Sequence, residues 1–131
     1  MTYEERKEQI RSYLGKTVKI GIDRPIGYVH RKNDYTLIYP INYGYIPDVL
    51  GGDGEELDVY LLGVGVPVTE YEAEIIAAVH RTDDVEDKLV GAPVGMSFTK
   101  EYIENAVKFQ ECHHVSFIQM KDESVEDILT P

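Results

Sequence analysis

Cysteine is nearly missing from this chain. Cys112 is the only one in 131 residues, which excludes an internal disulfide and fits a reducing compartment. Basic residues are also scarce: 13 Lys and Arg against 24 Asp and Glu leave a formal net charge of -11. Counterion release on a nucleic-acid backbone needs a basic patch, and an anionic membrane repels such a surface, so neither is expected as the main partner. Cations suit it instead. No apolar run approaches the ~20 residues of a membrane span. The opening MTYEERKEQIRSYL is charged where a secretory signal is apolar, so the expected location is the cytoplasm. The four serines (Ser12, Ser97, Ser116 and Ser124) sit in no nucleophile-elbow pattern. Gly15-Lys16-Thr17 lacks the upstream glycine of a P-loop, that position being Ile10, and Gly63-Val64-Gly65 lacks the third glycine of a dinucleotide fingerprint. There is no repeat, linker or low-complexity segment, and the length predicts one domain over residues 1–131.

What is present reads as short strands with helices at the flanks. Thr2 and Glu5 form a capping-box pattern for a first helix that Gly15 stops. From Thr17 the period becomes two, with Val18, Ile20 and Ile22 alternating against Lys19, Gly21 and Asp23. Strand-like runs follow at Gly27–His30, Tyr35–Tyr39, Leu57–Leu62, Ala73–His80 and Lys88–Ala92. Turns separate them at Arg24-Pro25, Lys32-Asn33-Asp34, Gly51–Gly54 and Val66-Pro67. A second helix is expected at about Thr99–His113, with Phe98 and Ile103 as a staple around a Thr99 cap. Val115–Met120 reads as a last strand, and the acidic tail from Lys121 as a short helix. The expected class is mainly β, a small barrel or rolled sheet with helices packed outside.

Four groups could carry chemistry. GGDGEELDVYLLG places Asp53, Glu55, Glu56 and Asp58 within six positions, directly against an apolar run. Hard cations such as Mg²⁺ take oxygen ligands and one or two carboxylates. Asp53 and Glu55 share a face of an extended backbone, and Asp58 joins them only if the chain turns, which Gly54 permits. The run is not an EF-hand, because Val64 stands at the twelfth position; an acidic hairpin loop is the alternative. Asp83-Asp84-Val85-Glu86-Asp87-Lys88 follows a second strand, either as more metal ligands or as a solvated turn. YPINYGYIP (Tyr39–Pro47) brings three tyrosines, whose hydroxyls can donate to phosphate or whose rings can pack a core. Lys19, Arg24, Arg31 and Lys32 put basic charge on the first strands, suited to phosphate oxygens or simply to an exposed edge. His113-His114 closes the second helix. Adjacent helical residues point about 100° apart, which favours a surface or capping role for at least one of them.

YPINYGYIP followed ten positions from Tyr43 by DGEELDVYLLG resembles the soluble inorganic pyrophosphatase family, which pairs a Tyr-Asn-Tyr-Gly segment with a D-x-D-x-x-D-V motif. The resemblance runs from Thr17 to Pro93, with a weaker continuation through the second helix. It implies an OB-like five-stranded barrel of the inorganic pyrophosphatase type with flanking helices. It also implies Mg²⁺-dependent hydrolysis of pyrophosphate by a metal-activated water, with several ions and with Mn²⁺ or Co²⁺ as substitutes. Asp53, Glu55 and Asp58 match its metal-binding carboxylates. Asp83 and the Glu86/Asp87 pair match a second acidic group, without deciding which of Glu86 and Asp87 is the ligand. Lys19, Arg31, Tyr43 and Lys88 match phosphate contacts. The catalytic set so implied is Glu55, Asp58, Arg31, Lys88 and Tyr43.

The chain departs from that pattern at three places. Glu55 stands where the family has Asp, and its extra methylene moves the carboxylate by roughly one bond length. Gly21 stands where a metal-shell glutamate is common. His113-His114 replaces a Tyr-Lys phosphate contact, so both histidines enter the substrate-binding set. These departures keep two alternatives open: a hydrolase of another phosphoanhydride metabolite on the same fold, or a relative that binds metal or phosphate without turnover. Exposed tyrosines and edge strands are compatible with a homo-oligomer.

Overall fold

A computed structural model describes residues 1–123 of the chain. Helix α1 is Tyr3–Ser12. Eight strands follow: β1 Thr17–Arg24, β2 Val29–Arg31, β3 Thr36–Ile38, β4 Asn42–Leu50, β5 Glu56–Leu61, β6 Glu70–Arg81, β7 Lys88–Ala92 and β8 Ser116–Met120, with α2 (Lys100–Glu111) between the last two. The helix predicted for the acidic tail lies outside the described residues.

The main sheet runs β1-β4-β5-β7-β6-β8, and β1 pairs β6 as well, so β1, β4, β5, β7 and β6 close into a five-stranded barrel. Closure removes the edges that an open sheet leaves exposed. It needs one long strand to serve two partners: the first half of β6 (Glu70–Glu74) pairs β1, and its second half (Ala77–Arg81) pairs β8. Within the barrel only β5 and β7 run parallel. β2 and β3 form a separate hairpin.

The second strand-forming stretch of the tyrosine motif was not among the strands expected from sequence. It is β4, and Pro47 is tolerated because it falls in an irregular stretch between Tyr45 and Leu50, where no ladder bond is lost. The glycine of that motif has a steric cause. A Cβ on Gly44 would stand 1.7 Å from the carbonyl oxygen of Gly21 on β1, so only glycine lets β4 approach. A side chain at Gly21 would in turn meet the ring of Tyr45 at 2.8 Å. Gly21, which the resemblance sets against a metal-shell glutamate, is thus covered by a tyrosine.

Two packed clusters follow from strand alternation. One draws on every barrel strand, through Ile20, Ile22, Ile46, Leu57, Val59, Leu61, Ile75, Ala78 and Leu89, and takes Ile10 of α1. Fully burying Ile10 contributes about 1.5–3 kcal/mol toward docking that helix. Both halves of the expected capping box, Thr2 and Glu5, are formed at its start. The other cluster lies under α2, whose Ile103 and Val107 pack on Tyr39, Tyr43, Tyr60 and Val79. Thr99 caps α2 through the amide of Tyr102, and Phe98 stacks on the Tyr102 ring.

Candidate functional site

The β5–β7 register sets Asp58 beside Lys88, and the β4–β5 register sets Tyr43 opposite Tyr60. Since Leu57, Val59 and Leu61 point into the barrel, Asp58 and Tyr60 point the other way. Lys88 does the same on β7, where Leu89 faces inward. These residues open on a cavity of about 310 Å³ bounded by the end of β1, the β2–β3 hairpin, β4, the β6–β7 loop and the end of α2.

Lys88 organises its floor. The ammonium donates to the Tyr43 hydroxyl at 2.7 Å and to Asp58 Oδ2 at 2.6 Å, and it also bonds Glu86 Oε1, which uses its three donors. Burial raises the carboxyl of Asp58, Lys88 opposes that, and a hydrogen bond with Glu86 adds to it, leaving Asp58 at about 6. Burial also acts on Glu86, but Asp58, Lys88 and Arg81 outweigh it and hold Glu86 down at about 2. The two carboxyls therefore titrate as a pair, which holds one proton between about 2 and about 6 and is ionised at neutrality. Burial pushes the Tyr43 phenol well above its ordinary value, the neighbouring Asp58 adding to it, so it stays a neutral hydroxyl.

A second network supports the first from behind. Arg81 is buried and bonds Glu111 through Nε at 3.0 Å and Nη2 at 2.6 Å, while Tyr60 donates to Glu111 Oε2 at 2.6 Å. Its remaining arm reaches Asp84 at 3.1 Å and lies 3.8 Å from Glu86. Arg81 thus ties the end of α2 to the acidic β6–β7 loop. That end carries Gln110, His113 and His114 into the cavity. The helix stops at Glu111 with Cys112 as its cap, so the two histidines follow the helix in a turn, and the angular argument for separating them does not apply. Both line the cavity: His113 stacks on Tyr35 at 5.4 Å, and His114 Nδ1 faces Asp83 at 3.5 Å and Asp84 at 3.8 Å.

Of the residues singled out in the sequence, Tyr43, Asp58, Glu86, Lys88, His113 and His114 share this cavity. Six others stand elsewhere. Asp53 and Glu55 occupy an exposed turn that Asp53 closes on itself by accepting the Glu55 amide at 3.0 Å. The φ of +81° at Gly54 lets the chain turn, yet the turn carries these carboxylates away from Asp58's cavity rather than into it. Lys19 is exposed on β1 and pairs with Glu70 at 3.3 Å, and Arg31 is exposed on β2. Asp83 is exposed beside His114, outside the lining. Asp87 is buried against α1. Its Oδ2 takes Arg6 Nε at 2.7 Å, and its Oδ1 takes Lys7 Nζ and the Arg81 amide, both at 2.8 Å. With both oxygens committed, Asp87 holds α1 to the loop, and Glu86 is the member of the pair that faces the cavity.

Sequence reasoning passed over several groups that line the cavity or stand behind it. Arg24 was noted only as one of four basic residues; it stands at the cavity through the β1–β4 irregularity between Ile22 and Arg24. Glu111 had a readable signal, a charged residue continuing the four-residue spacing of the core positions Ile103 and Val107. Tyr39 was noted only as one of the three tyrosines of YPINYGYIP, and Arg81 had no signal, because its partner Glu111 comes from a distant segment.

The donor chemistry fits a divalent metal in part. Asp58 and Glu86 are partly exposed carboxylates that share the Lys88 ammonium, and burial, the main cause of the raised Asp58 carboxyl, penalises a charge that a further cation would stabilise. That matches an ion taking one or two carboxylates and keeping waters. A three-carboxylate set does not form: among the described residues, no three His, Cys, Asp or Glu side chains are placed to hold one ion.

The architecture and cavity define an OB-like five-stranded barrel whose acidic and basic groups converge outside one barrel wall. The family model described as Inorganic pyrophosphatase matches residues 10–122, and the chain belongs to that family. An inorganic pyrophosphatase of Saccharolobus solfataricus is 40% identical over 86 residues, covering 61% of this chain and 50% of that protein. One of Rickettsia typhi is 29% identical over 94 residues, covering 66% and 53%. The chain spans about half the length of the curated relatives it matches. The crystal structure of inorganic pyrophosphatase from Ehrlichia chaffeensis superposes with a TM-score of 0.61 at 16% identity, over 82% of this chain and 87% of that one. That of Coxiella burnetii gives 0.55 at 17%, over 88% and 92%. At such identities the likeness speaks to fold. Among the described residues, no helix is long and apolar enough to cross a membrane.

Proposed function

We propose that the chain is an inorganic diphosphatase, hydrolysing pyrophosphate to two phosphates with Mg²⁺ at the Asp58–Glu86 pair. The observation that carries this reading is the convergence of Asp58, Glu86, Lys88 and Tyr43 on one open cavity in a chain of this family. The chemistry drawn from bound Mg²⁺ is charge neutralisation on the phosphates and a lowered pKa for the attacking water. Asp58, a carboxylate at the cavity, suits proton acceptance from that water. Lys88 exchanges one of its carboxylate bonds for a phosphate oxygen, where its charge offsets the anion that develops as the bridging P–O bond breaks. Tyr43 accepts from Lys88 and so turns its own proton toward an acceptor, orienting the substrate. His113 and His114 supply further donors at the α2 end. In this assignment Asp53, Glu55, Lys19, Arg31 and Asp87 have no direct role. The family and the single exposed Cys112 support a cytoplasmic setting and a homo-oligomer as further parts of the proposal.

The test is phosphate release from pyrophosphate with Mg²⁺, Mn²⁺ or Co²⁺, across a panel that includes nucleoside di- and triphosphates. Release from pyrophosphate well above the rest is expected. No release with any of the three metals overturns the reading. Asp58→Asn is expected to lower the rate by at least about 100-fold, the low end of general-base contributions. One observation favours a second reading, binding without turnover: Asp53 and Glu55 stand outside the cavity. It predicts calorimetric binding of pyrophosphate with no phosphate released.

A further inference from the structure

The cavity's basic side chains are not equivalent. Lys88 is committed to Asp58 and Glu86, and Arg81 to Glu111 and Asp84. Arg24 forms no ion pair among the described residues, although Asp23 also lines the cavity. Its guanidinium is held by aromatic rings instead. The central carbon lies 5.6 Å from the Tyr28 ring centroid, 5.5 Å from that of Tyr39 and 5.8 Å from that of Tyr43. Nη1 donates to the Tyr39 hydroxyl, which donates in turn to Gln110 on α2 at 3.0 Å. Tyrosine faces position a cation without neutralising it, and a guanidinium with one donor used keeps four for an incoming anion. In a chain of net charge -11, an unpaired, half-buried arginine facing a cavity is an expensive arrangement unless an anion comes to it.

Arg24 and Lys88 stand against one ring. They lie 5.8 Å and 5.3 Å from the Tyr43 centroid, which leaves the two cations at most about 11 Å apart. We propose that Arg24, fixed by the tyrosine cage, is a substrate-binding residue that receives one phosphoryl group of pyrophosphate while Lys88 receives the other. This rests on the pyrophosphate reading above and assigns a residue outside the set that the family motifs supply.

Imidodiphosphate, whose P–N–P bridge resists hydrolysis, tests the assignment without requiring turnover. Calorimetric titration in Mg²⁺ is run on wild type, Arg24→Gln and Arg24→Lys, each with a melting curve. Arg24→Gln is expected to weaken binding at least tenfold at an unchanged melting temperature, and Arg24→Lys to recover part of the loss, since it restores charge but not the fork. In turnover the same variants are expected to raise KM with kcat little changed, as for a contact equal in ground and transition states. Binding of Arg24→Gln within twofold of wild type overturns the assignment, as does a wild type that does not bind the probe. If Arg24→Gln does not fold, Arg24→Lys decides: binding equal to wild type overturns the proposal and a loss of threefold or more supports it. A wild type that binds imidodiphosphate but releases no phosphate from pyrophosphate removes the hydrolase reading and leaves the Arg24 comparison intact.

Discussion

Substituting Asp87 by Asn leaves size and shape almost unchanged and removes one negative charge from the contact between α1 and the β6–β7 loop. The Asp87 side chain is 1% exposed, that of Arg6 8% and that of Lys7 4%. The variant therefore leaves two buried cations without a countercharge, one of them facing the amide oxygen and the other its NH2. Removing one partner of a buried ion pair costs about 3–5 kcal/mol, because the remaining charge is uncompensated. Against a total stability of about 5–15 kcal/mol that is a large fraction. For a chain of this size it lowers the melting temperature by roughly 10–20 °C. The Arg81 amide keeps its acceptor, while the new amide NH2 takes the place of the oxygen that accepts from Arg6, so one charge and one acceptor are lost together.

Lys7 adds a signature in pH. Burial already holds its ammonium below the ordinary value, and Asp87 pulls it back up. Without that pull its folded pKa falls further below the unfolded one, so the unfolded chain binds more protons in the interval between them. Stability of the variant then rises with pH above neutrality. Urea denaturation at pH 7 and pH 9 measures both effects. A variant within about 1 kcal/mol of wild type at pH 7, the range of ordinary surface changes, refutes the reading of Asp87 as a structural clasp. In phosphate release at a temperature where the variant is folded, its Mg²⁺ dependence stays near that of wild type, whereas Glu86→Gln shifts the requirement to higher Mg²⁺.

His80 is buried against Phe117 and bonds Gln119 at 2.9 Å; burial, opposed by that bond, depresses its pKa to about 4. A depressed folded pKa gives stability that is present above about 6.5 and lost as pH falls toward 4, by about 3 kcal/mol at 1.36 kcal/mol per unit. The difference in urea stability between wild type and His80→Gln is expected to follow that window, and a pH-independent difference counts against it. Gly44→Ala, whose methyl would collide with the Gly21 carbonyl, is expected to cost at least about 3 kcal/mol or to prevent folding, read by soluble yield and denaturation. Gly21→Glu is expected to cost about 1–3 kcal/mol by displacing the Tyr45 ring, without tightening the Mg²⁺ dependence of phosphate release.

Much of the fold was readable because local signals carried it. The Thr2–Glu5 capping box, the alternation of Val18, Ile20 and Ile22, the Thr99 cap and the bounds of Lys88–Ala92 all reappear in the structure. β4 was not among the expected strands, and Pro47 and Gly44 are residues that weaken a strand pattern read locally. Their tolerance depends on where the β5 ladder lapses and on the approach of β1, neither of which is local. At the candidate site, the motif pair named Tyr43, Asp58, Lys88 and the undecided Glu86/Asp87 pair, of which Tyr43, Asp58, Glu86 and Lys88 share one cavity. It also named Asp53 and Glu55, which a glycine turn carries outside that cavity.

The linear order of residues by itself determined the strand and helix periods, the acidic balance, and the family to which the barrel belongs, since these rest on side-chain chemistry at short spacing. The tertiary structure alone decided between Glu86 and Asp87. Neighbours on the chain diverge to opposite environments: one reaches Lys88 and the cavity, the other meets Arg6 and Lys7 from a helix some 80 positions earlier. It likewise decided that Arg24 faces the cavity while Lys19, on the same strand, pairs with Glu70 outside it. Which charge is neutralised, and which is left for a ligand, depends on partners brought together by barrel closure, and no spacing along the chain encodes that.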